Sequence, residues 1–170
     1  MINRKKQKIE TEGFIIMKVK KSKYNIMVEL VCLILLIGVS IYLILNWNSF
    51  PDQIPGHYNA AGEIDRMGNK GELLILPIVA WMMYIGITVV ESFPQIWNTG
   101  VTVTEENKER VYRVLKDMVS TLKLCVVAAF MYLTINSSQA TALPMLFLPV
   151  FLLLMFGPII FFIIKLSKIK

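Results

Sequence analysis

A chain of 170 residues that is 55% hydrophobic, with a positive mean hydropathy, is too apolar for an ordinary soluble domain. Its net charge of +6 does not mark a nucleic-acid binder, because the Lys and Arg residues gather at the two ends and in one internal segment and form no continuous basic face. Cys32 and Cys125 both fall in apolar runs, where a thiol acts as a small hydrophobe and points to neither a disulfide nor a metal site.

In chain order, residues 1–23 form a basic N-terminal segment. Residues 1–16 are polar and aperiodic, which predicts partial disorder, and Met17-Lys18-Val19-Lys20-Lys21 reads as equally good a start as Met1. The apolar run 26–45 follows; it is too long for the core of a signal peptide and no small-residue cleavage site comes after it, so it reads as a retained membrane helix. Glu29 stands near its start, beside Lys20, Lys21 and Lys23, and is expected to be an interfacial or salt-bridged carboxylate. Runs 73–90 and 143–164 carry no charge and are also long enough to span.

The remaining span, 122–140, is shorter in purely apolar residues. Counting it leaves Lys123 to snorkel toward the headgroups, and an even number of crossings puts both lysine-rich termini on one side. Ahead of it, Thr102 to Asn107 suits a helix start, and Val111, Leu115, Met118 and Leu122 recur at helical spacing. The third helix is therefore expected to begin before the membrane and enter it without a break, its amphipathic 105–123 portion resting on headgroups or on a partner protein. Pro77, Pro144, Pro149 and Pro158 are expected to kink the spans they occupy.

These elements predict an all-α polytopic protein: a single membrane domain over 24–170, built as a four-transmembrane-helix bundle, with an ordered extracellular loop between helices 1 and 2. With both termini cytoplasmic, sixteen Lys and Arg lie on the inner side and two, Arg66 and Lys70, outside.

That loop, 46–72, contains the single histidine. Pro51 and Pro55 restrict the backbone, Asn59-Ala60-Ala61-Gly62 suggests a turn with positive φ at Gly62, and Gly68-Asn69 suggests another. His57 and Asn59 share a face of an extended segment, Asp65 can fold back to orient the imidazole, and Lys70 opens the second helix. Pro55, His57, Tyr58, Asn59, Gly62, Asp65 and Lys70 are the candidate loop-ordering or ligand-binding residues. One histidine with Asp52, Glu63 and Asp65 is a poor metal set, and no catalytic nucleophile pattern or phosphate loop accompanies it.

The stretch Pro51-Asp52-Gln53-Ile54-Pro55-Gly56-His57-Tyr58-Asn59-Ala60-Ala61-Gly62-Glu63-Ile64-Asp65, followed by Gly68-Asn69-Lys70, resembles the P-x-H-[FY]-N-x-x-G-x-x-D loop of the SdpI-like bacterial membrane immunity family. The resemblance implies a plasma-membrane protein that binds an extracellular toxic or antimicrobial peptide and confers immunity or signals its presence, with a cytosolic regulator as partner at the 105–123 helix. No cofactor is expected. Two other classes stay open: a metal-dependent membrane enzyme using His57 and Asp65, and an accessory subunit of a transporter.

Overall fold

The computed structural model describes residues 19–169, so the expectations of a disordered start and of a start at Met1 or Met17 lie outside the described residues. Four long helices dominate: α1 (Lys23–Asn46), α2 (Ile75–Glu91), α3 (Lys108–Ser138) and α4 (Phe147–Ser167). With the short 3-10 turns Trp47–Ser49 after α1 and Lys70–Leu74 before α2, these make four stretches long and apolar enough to cross a membrane. The chain is accordingly a multi-pass membrane protein.

α1 starts at a capping box, in which the Asn25 backbone donates to Ser22 Oγ at 3.2 Å and the Ser22 backbone donates to Asn25 Oδ1 at 2.9 Å. It then buries a single stripe, Val28, Cys32, Leu36, Val39 and Leu43, at steps of three or four residues. The stripe packs with Ala80 and Tyr84 of α2 and with Val127 and Met131 of α3. α3 is the central rod, touching all three other helices, whereas α4 packs chiefly on α3 and buries only Phe162 and Leu166. Large apolar side chains elsewhere, such as Ile34, Ile44, Leu45 and Met82, face outward, as lipid allows.

The structure departs from the sequence reading in four places. The chain is not purely α: β1 (Gln53–Tyr58) and β2 (Ile64–Asn69) form an antiparallel hairpin, too short and too full of Gly and Pro to register as strands by alternation. Pro77 and Pro149 sit in the first turns of α2 and α4, where no helical acceptor exists for a backbone N–H, and Pro144 precedes α4; Pro158 alone lies inside a helix. The regular part of α3 begins at Lys108, a turn later than Thr104, which leads into it: Thr104 and Asn107 exchange hydrogen bonds of 2.9 and 3.3 Å, and the Lys108 N–H donates to the Thr104 carbonyl at 2.9 Å.

The fourth departure concerns the amphipathic start of α3. Its 31 residues extend about 46 Å, well beyond a hydrocarbon core of about 30 Å. The stripe Val111, Val114 and Leu115 is covered by the chain itself, with Phe162 and Leu166 of α4 and with Trp97, Val101 and Val103 of the α2–α3 connection.

Candidate functional site

The hairpin sits at one end of the bundle, where α1 ends and α2 begins. Its register runs Gln53 opposite Asn69, Ile54 opposite Gly68 and Pro55 opposite Met67, then slips so that His57 faces Arg66 and Tyr58 faces Ile64. The register shifts twice, once on each side of His57, and such irregularities re-aim the side chains next to them. Pro55, which has no N–H to give, is accommodated because a two-stranded hairpin has a free edge on each strand.

Asn59 and Gly62 close the turn. Asn59 Oδ1 accepts from the backbone of Ala61 at 2.9 Å and of Glu63 at 3.0 Å, and the Gly62 N–H donates to the Asn59 carbonyl at 2.9 Å. Gly62 has φ +86°, and its carbonyl accepts from the Leu143 backbone at 2.8 Å, docking the turn onto the α3–α4 connection. Tyr58 makes a second bolt: its hydroxyl lies 3.1 Å from Ser137 Oγ, donates to the Thr141 carbonyl at 3.2 Å and accepts from Asn136 Nδ2 at 3.1 Å.

Of the four polar groups expected to converge, the structure joins two. His57 Nδ1 lies 2.6 Å from Asp65 Oδ1, leaving Nε2 as the ring's other hydrogen-bonding atom. Asn59 is spent on the turn, and Lys70 turns away, its ammonium 5.3 Å from the Trp47 ring centroid. In its place stands Arg66, which the sequence reading counted only as an outer charge. Its Nη2 donates to Glu72 Oε2 at 2.9 Å and to the Gly56 carbonyl at 2.8 Å. The Glu72 carboxylate raises the Arg66 guanidinium above its ordinary value.

Two glycines make room for this pair. A Cβ on Gly56 would meet the Arg66 guanidinium at 2.6 Å, and one on Gly68 would meet the Glu72 carboxylate at 2.4 Å. Gly68 therefore lies in β2 and forms no turn; Asn69 instead caps the following 3-10 helix, accepting from the Gly71 backbone at 2.9 Å.

Beneath the hairpin lies a cavity of about 420 Å³, within the range of small-molecule sites. His57, Asn59, Arg66 and Glu72 form its polar rim; Ile75, Leu76, Leu133 and Phe147 form an apolar floor. Such a space suits an amphiphile, with its polar end against the hairpin and its apolar part among the helices.

A second polar centre lies toward the other end of the bundle, and it corrects the expectation for Lys123. That side chain does not snorkel: it is fully buried, donating to Glu29 Oε2 at 2.9 Å, to Glu91 Oε2 at 2.8 Å and to Thr88 Oγ1 at 3.3 Å. Ser120 Oγ donates to the other Glu91 oxygen at 2.8 Å, and the Tyr84 hydroxyl donates to Glu29. Asn25 Nδ2 extends the network to Asp117 at 2.9 Å and Ser120 at 3.2 Å. No buried side-chain polar atom among the described residues lacks a partner, which identifies the cluster as a closed clasp. The signal in the sequence was the placement of Glu29, Glu91 and Lys123 in or beside three different spans.

With this geometry in hand, the comparisons with known proteins locate the similarity. A family model described as a domain of unknown function (DUF1648) matches residues 33–81, from the middle of α1 through the hairpin into α2. An uncharacterized protein of Archaeoglobus fulgidus is 27% identical over 147 residues, covering 76% of this chain and 80% of its own. No solved structure matches the chain. The similarity to the domain of unknown function thus falls on the hairpin and its seat, and the archaeal relative is similar over most of the chain.

Proposed function

We propose that the protein is a plasma-membrane binding protein whose hairpin-roofed cavity receives an amphiphilic extracellular ligand, a toxic or antimicrobial peptide, and so protects the cell. The observation that carries this reading is the cavity itself, polar at the hairpin and apolar among the helices. Two others support it: the resemblance of residues 51–70 to the SdpI-like immunity loop, and the excess of Lys and Arg at the termini and in the N-terminal half of α3, which favours a hairpin facing outward. No catalytic step is assigned to it.

The test is survival of cells expressing the wild type or Leu133→Trp, which fills the cavity floor, when challenged with a panel of membrane-active peptides. Protection by the wild type against at least one peptide, lost in Leu133→Trp at equal membrane abundance, is the expected result; equal survival of cells with and without the protein against every peptide sinks the reading. The 2.6 Å contact of His57 with Asp65 favours a second reading, a metal-dependent enzyme. Among the described residues no third His, Cys, Asp or Glu joins them, so it ranks behind. Stoichiometric metal in the purified wild type and its loss in His57→Gln would reverse that order.

A further inference from the structure

At the end of the bundle away from the hairpin, the chain entering α1, the end of α2 and the early turns of α3 enclose a cavity of about 440 Å³. Lys20, Lys21 and Lys116 line it together with Ser92, Thr88 and Glu91. Three lysines and one glutamate thus line it, and the Glu91 carboxylate is already engaged, by Lys123 and Ser120 at 2.8 Å each. Lys21 is 3.8 Å from Glu29, whose same oxygen Lys123 holds at 2.9 Å.

Lys116 is the telling member. It is 6% exposed, and its ammonium donates to the Val19 carbonyl at 2.6 Å, a dipole and not a counter-charge. An ammonium enclosed in this way is stabilised by an approaching anion. The cavity also sits at the boundary of two membrane spans, where α1 begins and α2 ends, and Val89, Phe93 and Ile96, close in the chain to its lining residues Thr88, Ser92 and Pro94, are exposed. That is headgroup depth, with apolar surface next to it for a chain of methylenes.

We propose that this cavity binds the phosphate of an anionic phospholipid headgroup, with the ammonium groups of Lys20, Lys21 and Lys116 as donors. The binding does not depend on the hairpin cavity or on what that cavity holds. Its phosphate chemistry is shared with free inorganic phosphate; the boundary position and the neighbouring apolar side chains select the lipid.

The full chain, purified in detergent, is mixed with equal amounts of phosphatidylglycerol and phosphatidylcholine, and retained lipid is read by native mass spectrometry. Preferential retention of phosphatidylglycerol is expected. Lys20→Gln with Lys21→Gln, two exposed positions, lowers it by about five-fold per lysine. Lys168→Gln, outside the cavity, leaves it unchanged. Lys116→Gln acts in the same direction, provided circular dichroism shows its helices intact. Equal retention of the two lipids, no loss in the double variant, or an equal loss in Lys168→Gln overturns the site. Inorganic phosphate binding to the delipidated protein as tightly as phosphatidylglycerol overturns the lipid assignment.

Discussion

Burying an ammonium group in a membrane helix costs several kcal/mol unless carboxylates meet it, and around Lys123 two do. Removing the lysine while leaving Glu29 and Glu91 in place strands both charges. Lys123→Met is therefore expected to destabilise the bundle by about 3–5 kcal/mol, read from denaturation in mixed micelles. Adding Glu29→Gln and Glu91→Gln recovers part of that loss; a single variant as stable as the wild type would show that the clasp carries no net stability. At Gly62 the constraint is backbone geometry. With φ +86° and the Leu143 carbonyl oxygen 2.7 Å from any added Cβ, Gly62→Ala costs about 1–2 kcal/mol for the left-handed conformation alone. The contact adds to this, so hydrogen exchange at the Leu143 amide, which donates to the Gly62 carbonyl, should speed up.

The hairpin is too small to stand unaided, since two strands of six residues bury little. What holds it is its attachment at both ends: Ile54 and Leu73 are buried in the main core, and Tyr58 reaches the end of α3. Tyr58→Phe keeps the ring and removes three hydrogen-bonding contacts. A loss of about 1 kcal/mol is expected, with faster exchange confined to residues 53–69; unchanged exchange would mean that the Gly62 contact alone seats the hairpin. The turn at Gly62 was legible in advance, because an Asn-x-x-Gly pattern acts locally; the two strands were not. The seat was not: Arg66 and Glu72 meet only after the strand register slips, and the glycines opposite them have no meaning until then.

At the scale of the whole molecule, α3 is the spine and the other helices are arranged around it. Apolar surface alone does not drive helices together in lipid, so the polar links along α3 matter more than their number suggests. They run from Asn25 and Asp117 through Ser120 and Lys123 to Tyr42 with Ser138 and Tyr58 with Ser137 near the other end. Orientation is a separate question, set by Lys and Arg outside the core. Ala61→Cys places a thiol at an exposed position of the hairpin turn. A membrane-impermeant maleimide is expected to label it in intact cells, leaving the buried Cys32 unmodified. Labelling only after lysis would turn the molecule over and remove the extracellular ligand from the proposal.

Span count, the central place of residues 46–72 and the turn at Gly62 follow from the sequence by itself, because hydropathy and backbone restriction are properties of neighbouring residues. Whether Lys123 reaches the surface, whether the stripe on α3 needs a partner, and which charges converge beneath the hairpin were decided only in three dimensions. Those outcomes depend on pairs such as Glu29 with Lys123, 94 residues apart, and Tyr58 with Ser137, 79 apart. No local pattern encodes such distances; only the packing of one helix against another brings the partners together and makes a buried charge affordable.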